Sequence, residues 1–170
     1  MKTAGRRFAA GLAPLIALGA ALFVASSSAL AQSEASGSAE GLEGTWLLQL
    51  TQKDCVTGAV GLTFPGLLTF TRGGTMTEAS GSPAFLPGQR SPGHGVWSKT
   101  NADAYLVHDE AFILFTGGHF EAGMQSISHV ITLSKSGNSF TSVATSQFYD
   151  TNNIPLGPIN CGTAVAVRVQ

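Results

Sequence analysis

Four residues have the types and spacing for proton-transfer chemistry: His108, Glu110, Glu121 and His129. Histidine titrates near neutral pH, and a neighbouring carboxylate can supply the complementary acid or base. The four flank Gly117-Gly118, a dipeptide that favours a tight hairpin between residues 104–115 and 119–134. With those two glycines as the whole turn, Thr116 pairs with His119. Leu106, His108 and Glu110 then share a face with Glu121, Gln125 and His129, while Tyr105, Asp109, Phe115, Phe120 and Met124 lie on the other. A three-residue turn slips the pairing by one and scrambles these faces.

Neither face is purely apolar, so two readings stand. The mixed face is a solvent-facing wall with some apolar neighbours, or it is a lumen whose polar cluster orients a ligand or shuttles a proton. No H-x-H or H-E-x-x-H pattern occurs, and neither a metal nor a cofactor is expected. No serine sits in a G-x-S-x-G elbow, and no helix follows Gly117-Gly118 to make a phosphate loop. The residues expected to line an apolar pocket are Tyr105, Phe112, Phe115, Phe120, Met124 and Phe148.

The elements that must position these side chains are short and rich in Thr, Val, Leu and Phe. Strands are expected over 44–51, 62–71, 75–78, 96–99, 104–115, 119–134, 140–149 and 161–169, the second of them broken at Pro65-Gly66. Arg72-Gly73-Gly74 marks a tight hairpin. Residues 79–95 carry three prolines and four glycines and read as a long loop able to cover a site. About eight sequential antiparallel strands avoid sticky edges by closing into an up-and-down barrel, with an open two-sheet sandwich as the competitor.

The ends set a compartment. Lys2, Arg6 and Arg7 precede an uncharged apolar run, and Ala29-Leu30-Ala31 forms an A-x-A site, so residues 1–31 read as a signal peptide. Residues 32–42 read as a flexible tether, and 43–170 as one barrel domain. No cysteine stands directly after the leader, so no lipid anchor is expected, and the protein is placed in the periplasm or outside the cell. In an oxidising compartment Cys55 and Cys161 are expected to form a disulfide. The ten Asp and Glu exceed the Lys and Arg left after the leader, and no basic stripe exists for nucleic acid.

Several segments resemble a family. Gly44-Thr45-Trp46 opens the first strand as the G-x-W motif does in lipocalins and other calycins. Residues 67–77, His94-Gly95-Val96-Trp97 and the stretch from Ile131 to Phe140 resemble strands of bacterial lipocalin-like domains. The resemblance covers most of 43–170 and implies a barrel with its Trp packed across one end. The chain departs from the family in having no helix after the last strand and no second lipocalin signature. The leading expectation is a secreted lipocalin-like barrel holding a small hydrophobic or amphipathic molecule. The alternatives are a barrel enzyme of the cyclase or isomerase type using His108, Glu110, Glu121 and His129, or a filled protein-binding module exposing Ala84-Phe85-Leu86.

Overall fold

The structure, a computed structural model, describes residues 41–170. The expected signal peptide and most of the expected tether lie outside the described residues. Eight antiparallel strands follow one another: β1 (Gly44–Lys53), β2 (Val60–Phe70), β3 (Thr75–Ser80), β4 (Gly93–Lys99), β5 (Ala104–Ile113), β6 (Gly123–Leu133), β7 (Ser139–Asp150) and β8 (Pro155–Arg168). Each pairs with its sequence neighbour, and β8 returns to β1 from Trp46↔Arg168 to Lys53↔Cys161, closing the barrel. Closure removes every free edge, which an open sheet of such strands would expose.

β2 runs unbroken through Pro65-Gly66, correcting the expected interruption. The Pro65 carbonyl accepts from Gly81 on the β3 side, just beyond the last β2–β3 pair at Gly66↔Ser80. The nitrogen of the same residue faces that side too, where no strand asks for a donor, so proline costs the ladder nothing. The β2–β3 turn has Gly73 and Gly74 at φ 97° and 90°, values that residues with a β-carbon rarely adopt.

Closure brings Cys161, opposite Lys53, beside Cys55, and the two form a disulfide with Cα atoms 5.2 Å apart. One end of the barrel is filled. Trp46 is fully buried, donates from Nε1 to the Leu42 carbonyl at 2.9 Å and packs on Phe140 with ring centroids 4.9 Å apart. The Arg168 guanidinium lies 4.2 Å over the Trp46 ring and donates to the carbonyls of Gly41, Glu43 and Gly137. Leu42, at the end of the segment read as a tether, is buried in this core with Phe70, Met76, Tyr105 and Ile131.

Candidate functional site

Inward residues are set by the β5–β6 register. Ile113 pairs with Gly123 and Ala104 with Thr132, so Leu106 faces Val130, where the two-residue turn predicted His129. The reason is the connection: residues 114–122 form a longer loop with only a Gly117↔Phe120 bridge at its tip. The one-residue slip exchanges neighbours as a period of two requires. Tyr105, Val107, Asp109, Ala111 and Ile113 point inward, together with Gln125, Ile127, His129, Ile131 and Leu133.

The four proton-transfer candidates are therefore separated. His108 and Glu110 are 51 % exposed on the outside of β5, with Nε2 and Oε1 3.8 Å apart and His108 Nδ1 3.1 Å from Ser128 Oγ. Glu121 is exposed in the 114–122 loop. His129 alone enters the interior, where burial lowers its pKa to about 4 and keeps the ring neutral. Among the apolar candidates, Phe120 and Phe148 line a cavity. Tyr105 belongs to the filled end, Phe112 and Phe115 are exposed outside, and Met124 is half-buried opposite Phe112 in the outward register.

The cavity lies at the end opposite Trp46 and measures about 250 Å³. Leu50, Phe64 and Ile127 form its inner wall, and Phe85, Phe120 and Phe148 close its mouth. Phe85 comes from the loop between β3 and β4, and its ring centroid lies 4.4 Å from Phe120 and 6.4 Å from Phe148. Phe120 and Phe148 are 5.0 Å apart, so three rings from distant parts of the chain make one aromatic cluster. Gln89 fastens this lid. Fully buried, it donates from Nε2 to the Phe115 and Gly117 carbonyls at 3.1 and 2.8 Å and accepts from the Leu86 amide at 3.0 Å.

The same loop sends Arg90 into the barrel, its side chain only 4 % exposed. Nη1 donates to Glu78 Oε2 and Nε to Gln125 Oε1, both at 2.7 Å, while Nη2 has no partner. Asp109 stands behind this pair, fully buried, with neither carboxylate oxygen hydrogen-bonded. Burial, reinforced by the nearby Glu78 charge and opposed by Arg90, pushes its pKa up to about 7. The glycines of β4 make room for it. A β-carbon on Gly95 would lie 2.0 Å from the His108 carbonyl, and one on Gly93 would lie 2.6 Å from Asp109 Oδ2 and 2.9 Å from Glu78 Oε2.

No protein-family model matches this chain, and no curated protein matches it. A functional reading must therefore come from the site's own chemistry. Among the described residues, no group of three His, Cys, Asp or Glu is placed to hold a metal ion. Glu78, Arg90 and Asp109 were not among the residues expected to form a site, and Phe85, expected on an exposed apolar loop, is half-buried at the cavity. The signal for Asp109 was present: it is the one charge in the alternating inward set Tyr105, Val107, Ala111, Ile113. No local pattern announces that Arg90 enters the barrel.

Proposed function

We propose that the barrel binds a small hydrophobic or amphipathic molecule at its open end, as an exported lipocalin-like binding protein. The observation that carries this reading is the unequal filling of the barrel. One end is packed solid by Trp46, Phe140 and Arg168, whereas the other holds a cavity walled by four phenylalanines, with Arg90 and Gln125 beside them. A concave, mostly apolar space with a few convergent polar groups is the common form of a ligand site. Its volume, below the ~300–1,000 Å³ of drug-sized pockets, suits a molecule with one or two rings. The Cys55–Cys161 bond supports export, since such bonds persist in oxidising compartments. A cyclase or isomerase reading finds no assembled set of His108, Glu110, Glu121 and His129 in the lumen.

Binding of an apolar fluorescent probe tests the proposal, together with native mass spectrometry of protein purified without unfolding. Ser146 lines the cavity, and Ser146→Phe fills it from the wall. The expected result is probe binding by the parent chain and at least tenfold weaker binding by S146F at an unchanged melting temperature. Equal binding by both would place the probe elsewhere and overturn the reading.

A further inference from the structure

We infer that the molecule held in this cavity is a neutral aromatic carbonyl compound, with its ring against Phe120 and Phe148 and its carbonyl oxygen accepting from Arg90 Nη2; this rests on the binding role proposed above. The first ground is a hydrogen-bond count. A guanidinium carries its N–H donors in a rigid plane and keeps its charge when buried. Nε donates to Gln125 Oε1 and Nη1 to Glu78 Oε2, both at 2.7 Å, and Nη1 also reaches the Ser91 carbonyl at 3.3 Å. Nη2 is buried and donates to nothing. The Arg90 side chain is only 4 % exposed, and Arg90, Glu78 and Gln125 all line the cavity. A charged donor left unused away from bulk water is the costly case, so an acceptor brought by a ligand gains more here than at a surface.

Charge balance decides between a carbonyl and a carboxylate. Among the described residues Arg90 is the one cation lining the cavity, and Glu78 already neutralises it. Asp109, behind them, is held neutral by burial below about pH 7 and adds nothing. A carboxylate on Nη2 would set a second anion on a guanidinium that already has one, where like charges repel far more strongly than in water. An ammonium brings donors to a wall whose open need is an acceptor. A hydrocarbon leaves Nη2 as it is. A neutral carbonyl oxygen takes the donor and adds no charge.

The aromatic part follows from where the donor stands. The Arg90 guanidinium lies 5.7 Å from the Phe85 ring centroid, and Phe85 is 4.4 Å from Phe120 by the same measure. Donor and ring wall therefore adjoin, and a carbonyl attached directly to an aromatic ring reaches both. Phe120 and Phe148 offer that ring the offset or edge contacts that aromatic pairs prefer. Arg90 is also fixed before any ligand arrives, because two side-chain acceptors hold its plane, so little ordering is left for binding to supply.

Displacement of the apolar fluorescent probe by acetophenone, ethylbenzene, benzoate and benzylamine tests the inference, with the ketone's carbonyl stretch followed by infrared difference spectroscopy. Acetophenone should bind about tenfold more tightly than each of the other three. Its stretch should fall below its frequency in water, since a charged donor in a dry site pulls harder than water does. Arg90→Met combined with Glu78→Gln removes both partners of the ion pair and leaves neither charge alone. This double variant should bring the ketone to within about twofold of ethylbenzene and raise the stretch again. If it does not fold, the parent chain decides: a bound ketone whose stretch stays at or above its frequency in water overturns the inference. Ethylbenzene that matches the ketone, benzoate or benzylamine that binds best, or a ketone preference that survives R90M/E78Q overturns it too. If none of the four displaces the probe, the carbonyl ligand is wrong and the binding role stands. If the probe itself does not bind, both are wrong.

Discussion

Asp109 and His129 lie one inward step apart on the paired strands β5 and β6, and Asp109 Oδ1 and Oδ2 and His129 Nδ1 have no hydrogen-bond partner. Burial keeps both groups neutral through opposite shifts: the acid up to about 7, the base down to about 4. Between pH 3.8 and 7 the folded state holds a proton on Asp109 that the unfolded chain has lost, so this group's contribution falls as pH rises, by about 4 kcal/mol in all. Between about pH 4 and 6.5 the unfolded chain holds a proton on His129 that the folded state lacks, so that contribution rises with pH, by about 3 kcal/mol. The slopes cancel where the windows overlap. Urea unfolding across that overlap should therefore show a flat stability profile for the parent chain. Asp109→Asn should gain stability with rising pH, and His129→Gln should lose it. Flat profiles for both variants would show that these groups do not titrate as buried residues.

Arg168 is the bolt of the filled end. Arg168→Ala removes the guanidinium from the Trp46 face and strips donors from the carbonyls of Gly41, Glu43 and Gly137. The expected loss is about 2–4 kcal/mol in urea unfolding. Lysine should recover less than half of it, because an ammonium cannot fork to several carbonyls and stack at once. Full recovery by lysine would mean that only the charge matters.

Gly95 and Gly58 separate two kinds of glycine. A β-carbon at Gly95 would meet the His108 carbonyl at 2.0 Å, so Gly95→Ala must push β4 away from β5. The expected cost is more than about 3 kcal/mol, in the range of severe overpacking. At Gly58 nothing lies within 4 Å, and only its positive φ of 71° opposes alanine, at about 1–2 kcal/mol. Thermal melts of the two variants should rank accordingly.

Gln89 ties the two loops over the cavity. Gln89→Ala leaves the Phe115 and Gly117 carbonyls and the Leu86 amide without their side-chain partner, at about 1–3 kcal/mol of local stability. Hydrogen exchange should quicken at the amides of Leu86, Leu114 and Gly117 while the β1–β8 ladder keeps its protection, and the apolar probe should associate faster. A change spread evenly over the barrel would instead mark Gln89 as part of the global core.

Much of the fold was legible because its causes are local. Apolar runs of strand length, glycines at the turns and Cys55 and Cys161 at the two closing strands dictate eight hairpin-linked strands, and edge avoidance closes them. The faces were harder to read. Leu106, Val130, Val143 and Val165 are apolar and point outward, whereas Asp109, Gln125, His129 and Ser142 are polar and point inward. Alternation therefore had no clean sign, and the assignment hung on a single register step at Gly117-Gly118.

By itself, then, the sequence determined strand number, order and closure, because turn chemistry and β preference act over a few residues. Only the tertiary structure decided which face became the interior and where the cavity lies. That cavity joins Arg90 and Phe85 from one loop, Phe120 from another, Glu78 from β3 and Phe148 from β7. Their meeting depends on how two loops fold over a closed barrel, a contact between distant segments that no local spacing encodes.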